Sequence, residues 1–358
     1  MYLTYRYRVK DRHAKHLDEM ARSVNLVWNF CGETQEHARR WSKKWPSRFD
    51  LIKLTSGCAA DLGLSSWIVE AICSQFILSR DRARRRPRWR GKRSLGWVPF
   101  RDGAVKIMGD SVVCRKRRLR LWYHRPIGGE IRGGCFSRDA AGRWYANLLC
   151  EIQEAEPREG AAIGVDLGLK VLATCSDGAK VENPRHFHRC ATKLATAQRA
   201  GRKRRARAIY RKVANARRDH LHKASTSMAR SYAKIVVGNI SPTKLMKTKF
   251  AKSVSDAGWS QFRDFLRYKA IKHGGRYEER SERLTTRTCS DCGSISGPKG
   301  REGLVVREWR CSDCGAVHDR DVNSAINILG PECRPPRAGS GFGRGHYGDD
   351  DMIVPQGV

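Results

Sequence analysis

The sequence predicts a two-part protein of mixed class: an N-terminal half of antiparallel β-strands with an inserted helical region, then an α/β half that carries a cysteine module. Residues 97–153 contain short apolar segments separated by glycine-rich turns, which is typical of a small antiparallel sheet or barrel. An apolar segment at 162–168 ends in an acid and a glycine turn, and a long helical segment connects it to the apolar strand 235–237. Two Cys-x-x-Cys pairs further along the chain indicate a small metal-binding module inside the α/β half.

The chain of 358 residues is long enough for two or three domains that each bury a core. Its charge is unusual, because 71 Lys and Arg residues oppose 36 Asp and Glu residues and leave a formal net charge of +35. So large an excess repels itself unless a polyanion is bound nearby. Nucleic acid is the expected partner, since each neutralised phosphate releases condensed counterions. The sequence contains no long apolar run of the kind that crosses a membrane, so membrane residence is not expected.

The N-terminal residues 1–8 alternate polar and aromatic side chains and contain no apolar core of a signal peptide, which predicts a cytoplasmic protein. The thirteen cysteines are an odd number, and most are scattered singly through apolar segments. This usage is typical of a reducing compartment with one metal site and several buried thiols.

Local patterns define the elements of the N-terminal half. Leu17 and Met20 begin a helical spacing of apolar residues, and Pro87 and Gly91 end the second helical region. The predicted elements are a strand at 2–8, helical regions at about 12–44 and 51–85, and strands at 96–100, 105–107, 112–114, 119–123 and 144–149.

The C-terminal half begins after a polar linker. Its predicted elements are the linker 154–160, a strand at 162–168 with a hairpin partner at 169–176, a basic helical segment at about 190–234, a strand at 235–237, helices at about 256–271 and 321–329, and a disordered tail from 331. Ser255-Asp256 is the expected N-cap of the helix at 256–271. Trp28 and Trp259 are expected in the hydrophobic cores.

The cysteine pairs Cys289/Cys292 and Cys311/Cys314 are each followed by glycine and are separated by 18 residues. Each pair can direct two thiolates at one metal ion, and the glycine lets the backbone turn back. Four thiolates match a tetrahedral Zn²⁺ in a closed structural site. Two redox pairs or disulfides are the alternative, which the matched spacing and the reducing compartment disfavour. The sequence therefore predicts one structural Zn²⁺ without an open catalytic position.

Two aspartates stand at the ends of secondary-structure elements. Asp166 ends a buried strand, and Asp321 begins an amphipathic helix directly after the cysteine module. Carboxylates from distant segments can hold paired Mg²⁺ ions about 3.5–4 Å apart, one to activate water and one to stabilise the leaving oxygen. Taken singly, Asp166 could be a turn acid and Asp321 a helix N-cap. The cysteine pairs and the positive charge favour the metal-binding alternative.

The order of these motifs resembles one protein family. Gly164-Val-Asp166-Leu-Gly is followed by the basic helical segment, the Ile-Val-Val strand, Lys-Ser-Val-Ser-Asp-Ala-Gly-Trp-Ser-Gln-Phe-Arg at 252–263, Thr-Thr-Arg-Thr-Cys-Ser-Asp-Cys-Gly at 285–293, and Asp319-Arg-Asp321-Val-Asn-Ser-Ala-Ile-Asn-Ile. This series is similar to TnpB, the proteins of bacterial insertion sequences also known as OrfB transposases, which are related to the compact type V CRISPR effectors. The resemblance covers about residues 1–330 and is most specific from 160 onward.

The resemblance implies an RNA-guided DNA endonuclease of a transposable element, acting near the bacterial nucleoid. A guide RNA would pair with one strand of a double-stranded target beside a short adjacent motif. Asp166 matches the first catalytic acid and Asp321 the third, with Mg²⁺ or Mn²⁺ as the cofactor. Asp319 matches a frequent family residue that is not expected to bind metal.

The resemblance also implies an RNase H-like (RuvC) domain with an inserted four-cysteine zinc ribbon, preceded by an antiparallel β-barrel (wedge) domain with an inserted helical region. The implied divisions are a wedge at 1–155 with a helical insertion at about 10–90, the first part of the nuclease at 156–288, the zinc module at 289–316, the last nuclease helix at 317–330 and the tail at 331–358.

The second acid of the family is absent from its usual place. It is normally a glutamate directly after the Ile-Val-Val strand, where this sequence has Gly238. Either the nuclease is inactive and the protein is an RNA-guided DNA-binding repressor, or another carboxylate supplies the charge. Glu282 is the first candidate for this role and Glu279 the second. A surface acid paired with a neighbouring arginine is the alternative for Glu282. Retention of Asp166 and Asp321 favours an active enzyme.

Three basic segments are the best candidates for nucleic-acid contacts. They contain Arg84, Arg85, Arg86 and Trp89; Arg202, Lys203, Arg204 and Arg205; and Arg115, Lys116, Arg117 and Arg118. Trp89 lies between arginines and is a candidate for stacking on a base, with an ordinary surface residue as the alternative. By analogy with the family, Asn29 and the helix at 12–44 are candidates for reading the target-adjacent motif.

Overall fold

The structure, a computed structural model, describes residues 1–114, 117–300 and 302–333. The tail predicted to be disordered lies outside the described residues from 334 onward, and its first three residues form a short 3-10 turn. No helix in the described ranges combines the length and the apolar character that a membrane span requires.

The chain divides into two compact units. The first comprises residues 1–156 and 185–220, and the second comprises 157–184 and the residues from 221 onward. Residues 185–220, which the sequence places with the nuclease, therefore group with the N-terminal unit.

The first unit contains two antiparallel sheets. Its strands are β1 (Tyr2–Arg8), β2 (Trp97–Arg101), β3 (Val105–Met108), β4 (Ser111–Cys114), β5 (Arg117–Arg120), β6 (Glu130–Arg138) and β7 (Trp144–Glu151). One sheet has the order β1-β7-β6-β2 and the other β3-β4-β5. A bridge between Val9 and Leu121 links the ends of β1 and β5. The strands are antiparallel, as the sequence predicts, and closure into a barrel stays a prediction.

Strand β6 is not predicted from the sequence, because its glycines are typical of a turn. Within the sheet, Gly134 pairs with Leu148 of β7 and Phe100 of β2. A Cβ at position 134 would lie 2.1 Å from the backbone oxygen of Asn147. The glycine therefore permits a close approach of neighbouring strands rather than a turn.

Four helices form the inserted helical region of the first unit. They are α1 (Ala14–Arg40), α2 (Arg48–Leu54), α3 (Cys58–Asp61) and α4 (Ser66–Ala83). The continuous helical region predicted at 51–85 is wrong, since Gly57 and Gly63 adopt φ angles of 85° and 63° and interrupt it. Trp28 of α1 is buried and meets Phe76 of α4 edge to face at 5.3 Å between ring centroids, which confirms its core position.

A mixed five-stranded sheet forms the centre of the second unit. Its strands are β8 (Ala162–Leu167), β9 (Val171–Cys175), β10 (Lys180–Glu182), β11 (Lys234–Gly238) and β12 (Arg276–Arg280). The order is β10-β9-β8-β11-β12. Strands β8, β11 and β12 run parallel to one another, and β9 runs antiparallel to both of its neighbours, β8 and β10. Parallel neighbours buried on both faces explain the continuous apolar sequences of β8 and β11.

Glycines divide the helices that follow β10. These helices are α5 (His186–Arg199), α6 (Lys203–Ser231), α7 (Pro242–Leu245), α8 (Ala251–Ala257) and α9 (Trp259–Lys272). The N-cap predicted at Ser255-Asp256 is wrong, because these residues lie inside α8. Gly258, with a φ of 70°, separates α8 from α9. Trp259 is buried, as predicted, and its Nε1 donates to the backbone oxygen of Gly168 at 3.2 Å.

The cysteine module is attached to the last helix of the described chain. Strands β13 (Glu308–Arg310) and β14 (Val317–Asp319) form its antiparallel hairpin, and α10 (Arg320–Leu329) follows at once. The side of α10 that contains Ile328 and Leu329 packs against Val236 of β11. Helix α10 thus connects the cysteine module to the central sheet.

Candidate active site and metal centre

The close packing of α10 on β8 brings two of the predicted acids to one place. A Cβ added to Gly164 of β8 would lie 2.0 Å from the carbonyl oxygen of Ala325 and 2.8 Å from the Cβ of Leu329, so only glycine allows this approach. Asp166 lies two residues further along β8 on the same face. Asp321 lies about one turn before Ala325 on α10. The two carboxylates therefore meet at the same end of the contact.

The carboxyl group of Asp166 lies in an environment that disfavours its charge. Burial raises its pKa to about 8, and the charges of Glu282 and Asp321 act in the same direction. A hydrogen bond with Ser324 and the charge of Arg320 oppose the rise. Asp166, together with Glu282 and Asp321 whose charges act on it, forms an acid cluster. Among the described residues only the four cysteines bring three or more candidate metal-ligand atoms within 4.8 Å of one another, so the three carboxylates do not meet that spacing.

The side chain of Glu282 occupies space that Gly238 leaves empty. A Cβ on Gly238 would lie 2.1 Å from Oε1 of Glu282 and 2.7 Å from its Cδ. Burial raises the pKa of Glu282, against opposing effects of the Ile240 backbone and the Arg263 charge. Its Oε1 is buried and has no hydrogen-bond partner among the described residues. A carboxylate from the loop after β12 therefore stands where a side chain at the end of β11 would begin.

Glu279, the second candidate, is engaged elsewhere. Its carboxylate pairs with Arg267 at 2.5 Å and Arg263 at 3.4 Å, and it accepts a hydrogen bond from the hydroxyl of Tyr277 at 2.9 Å. The charge of Glu282 is among the causes that raise the pKa of Asp166. Of the two glutamates, the structure brings Glu282 into the acid cluster.

Asp321 lies in the first turn of α10 but is not its N-cap. That role belongs to Asp319, whose Oδ1 accepts hydrogen bonds from the backbone N–H groups of Asp321 at 2.9 Å and Val322 at 3.0 Å. Lys180 also contacts Asp319 at 2.9 Å. Because Asp319 caps the helix, the carboxylate of Asp321 is left to accept other ligands, and Arg307 contacts it at 3.0 Å. The N-cap alternative for Asp321 is therefore wrong.

The acid cluster is a suitable donor set for divalent cations. Carboxylate oxygens are the hard ligands that Mg²⁺ and Mn²⁺ prefer. The Oε1 of Glu282 has no hydrogen-bond partner among the described residues, and the raised pKa of Asp166 means that this carboxyl group keeps its proton near neutral pH while no cation is bound.

The four cysteines converge on one point. Their sulfur atoms all lie within 4.8 Å of one another, with 3.6 Å between Cys289 and Cys314 and 3.6 Å between Cys292 and Cys311. Four thiolates at about 2.3 Å from a tetrahedral Zn²⁺ are about 3.8 Å apart, so the spacing fits this ion. The hydroxyl of Ser296 lies 3.1 Å from Cys311 and lowers the pKa of that thiol to about 6, which favours the thiolate form.

Two asparagines, which the sequence analysis did not single out, fasten the cysteine module to α10. The side-chain amides of Asn323 and Asn327 both donate to the backbone oxygens of Thr285 and Thr288, at 2.7–3.1 Å. Asn323 also accepts a bond from the backbone N–H of Ser290 at 2.8 Å. Their spacing of four residues places both on one face of the helix, which is the only sequence signal for this clamp.

Comparison with known proteins identifies the family. Residues 147–249 match the family model described as "Probable transposase" (OrfB_IS605). A protein of Streptomyces pristinaespiralis, described as "Putative RNA-guided DNA endonuclease", is 31% identical over 397 residues that cover 99% of this chain and 97% of that protein. This chain belongs to the TnpB (OrfB) family. The resemblance predicted from the sequence motifs is confirmed.

Other TnpB relatives match over shorter lengths. The protein InsQ of Escherichia coli strain K12, described as "Putative RNA-guided DNA endonuclease InsQ", is 28% identical over 241 residues that cover 59% of each chain. Residues 259–328 match the model described as "Cas12f1-like, TNB domain". The solved "Cryo-EM structure of the Cas12f1-sgRNA-target DNA complex" overlaps this chain with a TM-score of 0.40 and 14% identity, over 93% of this chain and 100% of that one.

The predicted nucleic-acid contacts of this TnpB protein lie at the surface. Arg84, Arg85, Arg86, Arg202, Lys203, Arg204 and Arg205 are all exposed. Trp89 is 57% exposed and lies between two arginines in the sequence. The Nη1 atom of Arg86 lies 3.7 Å from Oε2 of Glu36. Arg115 and Lys116 lie outside the described residues.

The segment around Trp89 is fixed to α1. Nε1 of Trp28 donates to the backbone oxygen of Arg88 at 3.0 Å. Asn29 is buried and bonds the backbone of Arg90 through both ends of its amide, at 2.9 and 2.8 Å. The expectation that Asn29 reads a DNA motif is therefore wrong, because its hydrogen-bonding groups hold this segment in place instead.

Proposed function

We propose that this TnpB protein is an RNA-guided, metal-dependent DNA endonuclease encoded by a transposable element. Relatives described as RNA-guided DNA endonucleases and the net charge of +35 support a guide RNA and double-stranded DNA as partners. We assign the nuclease to an RNase H-like (RuvC) domain, which the mixed sheet order β10-β9-β8-β11-β12 supports. In this assignment the cysteine module is an inserted zinc ribbon, and the first unit contains the wedge.

One observation carries the proposal of an active nuclease. The carboxylate of Glu282 fills the space at Gly238 and belongs to the same acid cluster as Asp166 and Asp321. A glycine and a glutamate that fit each other this closely support relocation of the second catalytic acid from β11 to the loop after β12. Loss of that acid without replacement would support the repressor instead.

The three acids would hold Mg²⁺ or Mn²⁺ at the edge of the sheet. Bound there, the cations would supply an activated water and stabilise the leaving oxygen of the phosphodiester. The chain's own residues set a condition on the site: Asp166 must lose its proton before it can act as a ligand. Because burial raises its pKa to about 8, the ligand form becomes well populated only as the pH rises towards 8. Arg307 must also release Asp321.

The remaining parts of the protein would position the nucleic acids. Base pairing with the guide reads the target sequence, while the protein contacts the backbone. We place backbone contacts at Arg84, Arg85, Arg86 and Arg202, Lys203, Arg204 and Arg205, and a stacking contact at Trp89. The hydrogen bonds that fix the backbone of Arg88 and Arg90 support this role, because they hold the attachment point of the Trp89 side chain in place.

The decisive experiment tests cleavage with the native guide. The full chain is purified with its co-expressed RNA, the RNA is sequenced, and cutting of a matched DNA library with randomised flanks is measured with and without Mg²⁺. Asp166→Ala and Glu282→Gln are expected to abolish cutting while guide-dependent DNA binding remains, and Glu279→Gln is the matched control that retains cutting. Guide-dependent binding without cutting by the unaltered protein would establish the repressor. Cutting by Glu282→Gln at the unaltered rate would exclude the relocated glutamate.

A further inference from the structure

An arginine cleft lies within the first unit, between the β6–β7 hairpin and the first turns of α6. Among the described residues that line it, one is acidic, Asp11, and none is a lysine or an aromatic residue. The cavity has a volume of about 640 Å³. Six arginines form its walls: Arg8, Arg138, Arg143, Arg204, Arg207 and Arg211.

The positive charge of the arginine cleft is only partly compensated. Arg8 pairs with Asp11 at 2.7 Å, and Arg138 pairs with Asp18 at 3.1 Å. In the part of the chain that the structure describes, the other four arginines have no carboxylate within ion-pair distance. The Nε of Arg8 is buried and lacks a hydrogen-bond partner among the same residues. Arginines that face each other across a cleft repel one another unless an anion lies between them.

The arrangement of the arginines indicates the chemistry of that anion. Arg204, Arg207 and Arg211 follow one face of α6, separated by about 4.5 and 6 Å along the helix axis. The β6–β7 hairpin presents Arg138 and Arg143 from the opposite wall. Guanidinium groups bind phosphate oxygens in pairs, and a row of them suits a ligand with regularly repeated phosphates. Without an aromatic ring in the cavity, bases have no stacking partner there.

We infer that the arginine cleft binds the phosphodiester backbone of a nucleic acid, and that the bound phosphates hold α6 against the β6–β7 hairpin. Since the cleft contacts phosphates and not bases, binding there is independent of sequence. This inference rests on the nucleic-acid-binding part of the proposed function and not on DNA cleavage.

The test combines affinity with a local readout on the full chain. Kd is measured at 50–200 mM salt for a fluorescent single-stranded RNA and a DNA duplex, and inorganic tripolyphosphate is the third probe. The cleft variant is Arg207→Gln/Arg211→Gln, and the matched control is Arg189→Gln/Arg199→Gln, which removes two exposed arginines of α5. Amide hydrogen exchange is followed over residues 138–143 and 203–211, and circular dichroism checks that both variants fold.

We expect RNA or DNA to slow exchange in both segments of the unaltered protein, and the responding nucleic acid identifies the source of the phosphates. In the cleft variant this protection is lost. For RNA, the slope of the logarithm of the binding constant against the logarithm of the salt concentration becomes about 1.4 less steep. The ratio of variant to unaltered Kd then shrinks about sevenfold between 50 and 200 mM salt. For the DNA duplex, the same slope becomes about 1.8 less steep.

Three outcomes would overturn the inference: no protection by either nucleic acid, equal slopes for the cleft and control variants, or protection by tripolyphosphate alone. The last would make the cleft a site for small anions. Because cleavage is not measured, failure here and failure of the proposed nuclease are separate results. A protein that cuts matched DNA without protection of the cleft refutes only this inference.

Discussion

Gly238→Ala tests the relocated glutamate with the addition of one methyl group. The new Cβ would lie 2.1 Å from Oε1 of Glu282, whereas non-bonded carbon atoms and their neighbours normally stay about 3.5 Å apart. The carboxylate must therefore move by more than about 1 Å. The backbone at Gly238 is not left-handed, so alanine introduces no conformational strain. The atoms that must move belong to a side chain, so the fold should be retained.

The expected loss of activity follows from this displacement. Metal sites tolerate ligand shifts of about 0.2 Å, and a misplacement of about 1 Å costs about 100-fold in rate. We therefore expect Gly238→Ala to cut at least about 100-fold more slowly, equivalent to about 2.7 kcal/mol of transition-state stabilisation. The free energy of unfolding should change by no more than about 1 kcal/mol.

The assay is single-turnover cleavage of a guide-matched plasmid in saturating Mg²⁺, with urea denaturation as the measure of stability. Gly238→Glu/Glu282→Gly moves the acid back to the end of β11 and is expected to recover part of the lost rate. Glu279→Gln serves as the control for loss of a nearby negative charge. If Gly238→Ala cuts as fast as the unaltered protein, the Glu282 carboxylate has no part in the reaction.

Three further results are expected. Gly164→Ala should lower the free energy of unfolding by about 1–3 kcal/mol, because its Cβ would lie 2.0 Å from the backbone of α10. Urea denaturation measures this change. Gly91→Ala is the control, since a Cβ at position 91 has no neighbouring atom within 4 Å. Cys311→Ser should reduce bound zinc from about one ion per chain, measured by elemental analysis, and an unchanged content would contradict the four-cysteine centre. Without Mg²⁺, folding raises the pKa of Asp166 to about 8. Its protonated carboxyl group therefore stabilises the folded protein fully below about pH 4, and this contribution to the free energy of unfolding is lost as the pH rises through about 8. Asp166→Asn should flatten this pH profile of the denaturation midpoint, and an identical profile would refute the raised pKa.

Local chemistry explains what the sequence could predict. The four cysteines lie in two short Cys-x-x-Cys segments, and this spacing alone predicts that their sulfur atoms converge on one metal ion. Asp166 is recognisable because an apolar strand ends at it. The partnership of Glu282 with Gly238 is harder to predict, since it depends on two segments that meet only in the folded sheet.

The errors of the sequence analysis share a physical cause. Glycine serves both in turns and wherever backbones approach closely, and the sequence does not distinguish the two uses. The glycine-rich sequence around Gly134 predicts a turn, although this residue lies inside β6. The helix predicted at about 256–271 is divided by Gly258, which ends α8. The sequence makes Asp321 a candidate for the helix N-cap, and only the folded structure shows that Asp319 takes this role instead.

The hydrogen bonds of Asn323 and Asn327 also show where the chain can be lengthened. They fix the backbone at Thr285 and Thr288, before the first cysteine, directly to the helix that carries Asp321. Lys299 is exposed and lies outside this connection, so extra residues there leave the distance between Glu282 and Asp321 unchanged. A peptide tag inserted after Lys299 would provide an attachment point for imaging or immobilising the protein.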